Sequence, residues 1–233
     1  MDKITNDDDT GDIIEEIEEI EEIEGIDNIA NVGNIANIDN IDNVGKSEEK
    51  WKELAEDCLN CKKCGLYKTR THSVFGKGSH RAKIMFIGEA PGESEDREGL
   101  PFVGRAGKLL DKYMYNFDFN LENVYIANIL KCRPPNNRDP DESEQDSCIG
   151  YLRLQTKLLK PKIIVCLGRI SAMRIIKPDF KITSEHGKWY KKGEIYMTAV
   201  YHPSALLRDP AKKADALLDF RSVREKAAEL GLL

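Results

Sequence analysis

The stretch KIMFIGEAPG, residues 83–92, decides the fold. A short apolar run, Ile84-Met-Phe-Ile87, ends on Gly88, which is the texture of a strand buried inside a parallel sheet. The loop that follows, Gly88-Glu89-Ala90-Pro91-Gly92, is made of small residues and a proline around one acid. Such a composition lets the backbone turn sharply and approach a ligand closely.

Working outward, residues 123–128 (NVYIAN) and 162–168 (KIIVCLG) repeat the same texture. Residues 194–201 (EIYMTAVY) supply a fourth strand, after a hairpin partner around residues 188–191. Helical stretches fall between them at 105–115, 141–159, 170–176 and 211–230, and a short helix at 51–57 precedes the first strand. Alternation of strand and helix predicts a parallel sheet with helices on both faces. In such α/β folds ligands sit beyond the carboxyl ends of the strands, so the residues just past each strand carry the chemistry.

The first strand delivers Glu89, an acid able to activate or orient water, with Ala90, Pro91 and, further on, Glu95. The second delivers Asn128, whose carboxamide both donates and accepts and suits a nucleobase edge that alternates carbonyl and N–H. The fourth delivers His202, an imidazole able to stabilise developing negative charge. Taken singly, each has an ordinary explanation as a turn, a cap or a structural histidine. All three fall at strand ends of one sheet, and that coincidence points to a site.

The net charge of -6 hides an uneven distribution. Residues 1–45 hold 15 Asp or Glu and one basic residue, Lys3, which leaves 34 Lys and Arg against 26 Asp and Glu in residues 46–233. A surplus of that kind permits contact with a polyanion, although a solvated lysine-rich face gives the same count. Within the tail an apolar residue recurs every third position from Ile14 to Val44, a period that drifts around a helix and builds no fixed apolar face. The expectation is an acidic low-complexity tail over residues 1–45 and a single folded domain over 46–233. No apolar run reaches the ~18 residues of a membrane span, and no secretory signal opens the sequence. A cytoplasmic location without membrane contact is therefore expected, where thiols stay reduced.

Six cysteines in that setting are metal ligands, nucleophiles or core residues rather than disulfides. Cys61 and Cys64 form a C-x2-C hook, and Cys132 and Cys148, with 15 residues between them, follow further on. Four such thiolates suit zinc or an iron–sulfur cluster. Cys58 repeats the spacing upstream, so spacing alone does not say which two of the three ligate. Cys166, inside an apolar strand, reads as a buried core thiol.

These segments together resemble a known family. The C-x2-C hook with Leu66 and Arg70, then GEAPGESEDREGLPFVGRAGKLLD over residues 88–111, NILKCRPPNNR over 128–138 and HPSALLR over 202–208 are similar to the family 4 uracil-DNA glycosylases, the iron–sulfur branch of their superfamily. The likeness covers roughly residues 50 to 230. It implies a three-layer α/β/α fold with a central four-stranded parallel sheet. It also implies a [4Fe–4S] cluster on Cys61, Cys64, Cys132 and Cys148, with Cys58 outside the pattern. The expected activity is hydrolysis of the N-glycosidic bond of deoxyuridine in DNA, within base excision repair.

By the same likeness Phe102 stacks on the extruded base, Asn128 reads its edge, Glu89 and Ala90 line the sugar side, and Pro91 joins them in binding the substrate. Many relatives carry glycine where Ala90 stands, which narrows the pocket slightly. Glu89 and His202 are the catalytic pair, and Glu95 supports the loop from behind. Lys77, Arg105, Lys108, Arg133 and Arg138 are candidate phosphate contacts, and Leu206, Leu207 or Arg208 fills the gap left by the flipped base, the equal alternative for the two leucines being ordinary core residues at the start of a helix. The expected partners are uracil-containing DNA and replication or repair proteins, with the chain acting as a monomer. Two rival expectations are a broader-range glycosylase of the same superfamily, against which Glu89 argues, and a non-catalytic DNA-binding module, against which the full set of site residues argues. A zinc-ribbon regulatory domain is a third, and it predicts colourless protein.

Overall fold

A computed structural model describes residues 42–233 of the chain, with side chains described from Ser47 onward. Apart from its last four residues, the acidic tail lies outside the described residues. The first element is longer than the sequence suggested: α1 runs Asp42–Leu59 rather than over 51–57 and takes in those last four residues. Trp51, Leu54 and Cys58 make one buried face at helical spacing, while Lys52, Glu53, Glu56 and Asp57 between them are charged and exposed. Trp51 stacks on His80 at 4.3 Å and meets Tyr125 at 5.1 Å, which presses α1 onto the sheet.

The four expected strands are present as β2 (Ile84–Gly88), β3 (Val124–Asn128), β4 (Ile163–Leu167) and β6 (Ile195–Val200), mutually parallel and in the order β3-β2-β4-β6. The first three are buried along their whole length, as continuous apolar runs require. The sheet has six strands rather than four, because an antiparallel strand closes each edge. β5 (Trp189–Lys192) is the hairpin partner expected before the last strand. β1 (Lys77–Gly78) pairs with β3 and was invisible in the sequence: two residues set no alternation.

Strict alternation of side chains distributes each strand between two cores. Met85 and Ile87 pack with Ile149 and Leu152 of α4 (Glu142–Leu159) and with Ala172 and Ile175 of α5 (Arg169–Ile175). Ile84 and Phe86 pack with Leu110 of α3 (Arg105–Asn116) and with Phe220 and Val223 of α8 (Lys213–Glu229). That is the three-layer α/β/α arrangement. Three short helices escaped the sequence reading: α2 (Glu93–Glu98), α6 (Ile182–Glu185) and α7 (Pro203–Arg208). α2 begins directly after the loop that ends on Gly92. Glu93, Glu95 and Asp96 in its first turn complement the helix dipole, and Gly99 closes it in the left-handed conformation at φ 73°.

The chain passes from β2 to β3 on one side, then crosses to β4 on the other. The strand order therefore reverses beside β2, and a crevice opens at the carboxyl ends of β2 and β4. Backbone bonds continue past the strand end there, with Ile129 N–H donating to Gly88 O and Leu130 N–H to Glu89 O, each at 3.0 Å. Glu89 is held in place by the sheet itself. Among the described residues, no helix is long and apolar enough to cross a membrane.

Candidate active site

The crevice contains a cavity of about 470 Å³, lined among others by Glu89, Phe102, Asn128, Arg169, Tyr201 and His202. Its size falls in the range of roughly 300–1,000 Å³ typical of small-molecule sites. Ala90, Pro91 and Glu95 line it too, so the residues expected at three strand ends do meet in one place.

Phe102 and Asn128 form its floor, with Gly88 packed against both. A side chain on Gly88 would collide with Asn128 Oδ1 and come within 2.7 Å of the Phe102 ring, so only glycine leaves both in place. Asn128 is 2 % exposed, and its Oδ1 has no hydrogen-bond partner. A buried acceptor left unmade costs about 1–3 kcal/mol, and the cost is recovered when a ligand N–H arrives. Phe102 adopts φ 52°, a conformation uncommon for an aromatic residue, and several contacts hold it there. Lys77 Nζ donates to its carbonyl at 3.1 Å. Glu95 Oε1 accepts from Val103 N–H at 2.9 Å and from Gly104 N–H at 2.8 Å. Gly107 faces the Phe102 carbonyl so closely that a Cβ there would overlap it. Glu95 thus holds the backbone just beyond the Phe102 ring.

His202 closes one wall, its ring centroid 5.8 Å from that of Phe102. It is the N-cap of α7, and its Nδ1 accepts from Ser204 N–H at 3.1 Å with Ser204 Oγ at 2.8 Å. A nitrogen that accepts from an amide carries no proton, so the neutral ring carries its proton on Nε2. Burial, aided by the Arg208 cation, lowers its pKa to about 4. The imidazole is therefore neutral at ordinary pH and has one N–H to give. Glu89 is shifted the other way: burial first, then the Asp139 carboxylate, raises it to about 7, against the opposing pull of Arg169. Arg169 and Asp139 are themselves paired at 3.0 Å on the cavity rim.

Arg169, Asp139 and Ser204 were missed in the sequence. For Arg169 the signal existed, since it follows the glycine that ends β4 and obeys the strand-end rule used for the other three. Asp139 and Ser204 come close only through tertiary folding and a helix cap.

The four cysteines of the spacing pattern also converge. Cys61, Cys64, Cys132 and Cys148 border one small recess beside the sheet, together with Arg70, Lys131 and Tyr151. Among the described residues no group of three or more His, Cys, Asp or Glu is placed to hold a single metal ion. Arg70 Nη1 donates to Cys132 Sγ at 3.0 Å, Lys131 N–H to Cys148 Sγ at 3.3 Å and Lys63 N–H to Cys61 Sγ at 3.5 Å. Donors aimed at three sulfurs suit thiolates bearing negative charge, and the donor set fits a four-thiolate group. Cys58 is fully buried, bonds Ser73 Oγ at 3.2 Å and does not border the recess.

The candidate DNA contacts divide. Arg105 and Lys108 are exposed at the start of α3, and Leu207 and Arg208 are exposed on α7. Leu206 is not available: at 1 % exposure it is a core residue, because it lies on the inner face of α7. Lys77 is partly buried and committed to Phe102 O. Arg138 is held by Glu144 through two bonds at 2.6 and 2.9 Å, and Arg133 Nε by Asn137 Oδ1 at 2.8 Å.

Residues 75–222 match the family described as the Uracil DNA glycosylase superfamily. The chain is 46% identical over 184 residues to the Type-4 uracil-DNA glycosylase of Sulfurisphaera tokodaii, covering 75% of this chain and 84% of that protein. It is 42% identical over 183 residues to the Type-4 uracil-DNA glycosylase of Archaeoglobus fulgidus, covering 74% of this chain and 91% of that protein. Likeness to the Type-5 uracil-DNA glycosylase of Pyrobaculum aerophilum is weaker, 30% over 55% of this chain and 64% of that protein. A sheet whose strand ends gather a neutral imidazole, a raised carboxyl, an unpaired buried carboxamide and an aromatic ring agrees with this, and the chain belongs to the uracil DNA glycosylase superfamily, in its Type-4 branch.

Proposed function

We propose that this protein removes uracil from DNA by hydrolysing the N-glycosidic bond of deoxyuridine, leaving an abasic site and free uracil. The observation that carries the reading is the buried, unpaired Oδ1 of Asn128 beside the Phe102 ring. A base cannot reach this cavity from within a duplex, so it is turned out of the stack and enters edge first. Phe102 stacks on its face. Asn128 accepts from N3–H and donates to O4, while cytosine presents the reverse pattern and leaves buried groups unpaired.

Bond cleavage places positive charge on the sugar and negative charge on the departing uracil. His202, neutral and with its proton on Nε2, donates to O2 and stabilises the anion without passing the proton on. Glu89 faces the sugar side, holds the water that attacks C1′ and, as a carboxylate, offsets the oxocarbenium charge. Arg105, Lys108, Leu207 and Arg208 supply the exposed cations and the wedge that engage the DNA.

Cys61, Cys64, Cys132 and Cys148 would hold a [4Fe–4S] cluster, whose role would be structural: the recess they border shares no lining residue with the cavity. Its support is the convergence of the four thiols and the N–H and guanidinium donors on their sulfurs. When bound it joins the segment after α1 to the loop after β3.

The test is single-turnover excision from an oligonucleotide with one uracil, read as an abasic site, against U·G, U·A, single-stranded U, hypoxanthine and thymine mismatches. Excision confined to uracil supports the reading, and excision of hypoxanthine at similar rates moves the chain to the broader class. Glu89→Gln and His202→Ala each cut the rate by about 10²-fold or more with the fold intact. Near-parental rates in both would defeat the assignment.

A further inference from the structure

Lys131 is a lysine without a surface. It is 1 % exposed, three residues past the end of β3 in the segment Asn128-Ile-Leu-Lys131-Cys132. An ammonium has three N–H donors, and here all three find acceptors. Nζ donates to Gln155 Oε1 at 2.7 Å, to Asn128 O at 2.9 Å and to Phe75 O at 3.2 Å. Gln155 is itself fixed, its Nε2 donating to Phe75 O at 3.0 Å and to Tyr125 Oη at 3.1 Å. Every acceptor is neutral, so no carboxylate explains why a cation is buried here. A methionine of similar length would fill the space at less desolvation cost if packing were the only need.

What the ammonium holds is the carbonyl of Asn128, whose side chain has the unpaired Oδ1 in the cavity floor. The backbone of the same lysine reaches the other way, with its N–H on Cys148 Sγ at 3.3 Å and its carbonyl accepting from Val74 N–H at 2.7 Å. Asn128 stands where β3 pairing ends, and the ammonium supplies a tie to its carbonyl from α4. We propose that Lys131 is a positioning residue for base recognition: it fixes the Asn128 peptide, and through it the carboxamide, against the wall of the four-cysteine recess. The proposal rests on uracil recognition by Asn128.

The test measures equilibrium binding of free radiolabelled uracil to the purified, cofactor-loaded protein at one fixed pH, with circular dichroism and melting temperature on the same samples. In Lys131→Met, uracil binds about tenfold more weakly or worse, as expected for loss of one bond to a charged group. In Gln155→Met the ammonium keeps Asn128 but loses one anchor, and binding weakens about threefold. A lysine that served only stability would lower the melting temperature and leave the affinity of folded protein unchanged in both variants. That result overturns the proposal. If Lys131→Met does not fold, Gln155→Met decides alone, and parental affinity there overturns it. Parental protein that neither binds uracil nor excises it defeats the functional reading itself, a different outcome from parental binding that the variants do not alter.

Discussion

Glu89 gives the sharpest prediction, because its carboxyl must be ionised to work while its surroundings favour the proton. Burial and the Asp139 carboxylate raise it to about 7, from an ordinary value of 4.5. About half of the molecules are then active at pH 7, about a tenth at pH 6 and about a hundredth at pH 5. Single-turnover excision should therefore fall tenfold per pH unit on the acid side, with a midpoint near 7. His202, lowered to about 4, stays neutral across that range and adds no second limb. The informative perturbation is Asp139→Asn. It removes the negative charge that disfavours ionisation and frees Arg169, whose charge favours it. Both changes act in one direction, and the midpoint should move down by about half a pH unit or more, an interaction of about 1 kcal/mol between partly solvated charges. The assay is excision from a 5′-labelled uracil oligonucleotide at pH 5 to 9 and constant ionic strength. A flat parental profile from pH 5 to 8, or a midpoint that Asp139→Asn leaves in place, refutes the account of Glu89.

Stability should follow the same group with the opposite sense. The folded protein holds the Glu89 proton more tightly than the unfolded chain, so stability declines as pH rises from about 4.5 through about 7. Glu89→Gln should accordingly raise the melting temperature at pH 8 and leave it little changed at pH 4.5, while activity is lost at both. Gly107→Ala places a methyl group on the Phe102 carbonyl, and loss of excision together with a lower melting temperature is expected. On α7, Leu206→Ala should cost about 2–5 kcal/mol by denaturant unfolding, as core truncations do. Leu207→Ala should leave stability within about 0.5 kcal/mol and weaken excision from duplex more than from single strands. Parental protein should be brown, with absorption near ~400 nm, and Cys148→Ser should lose that band in anaerobically purified protein. Colourless parental protein, or an unchanged band in the variant, would exclude the cluster from these thiols.

The layer structure and the strand-end residues were legible because both follow from local patterns. Continuous apolar runs ending in Gly88, Asn128 and Gly168 have the texture of parallel strands covered on both faces, and that architecture places ligands at their carboxyl ends. β1, α2, α6 and α7 were not legible, since a strand of two residues has no texture and helices of four to six residues make less than two turns and show no helical period.

By itself the sequence determined which residue types stand at each strand end, and which cysteines are spaced to share a ligand. Tertiary structure alone decided how each one behaves. Leu206 and Leu207 are equivalent in sequence, yet the rotation of α7 buries one and exposes the other. Lys131, Arg133 and Arg138 are three cations in one basic loop, yet Asn128, Asn137 and Glu144 hold them in different places. Glu89 and His202 acquire shifted proton affinities only because folding removes them from water and sets Asp139 near the one and Arg208 near the other. Desolvation and charge proximity depend on distance in space, and separation along the chain does not encode them.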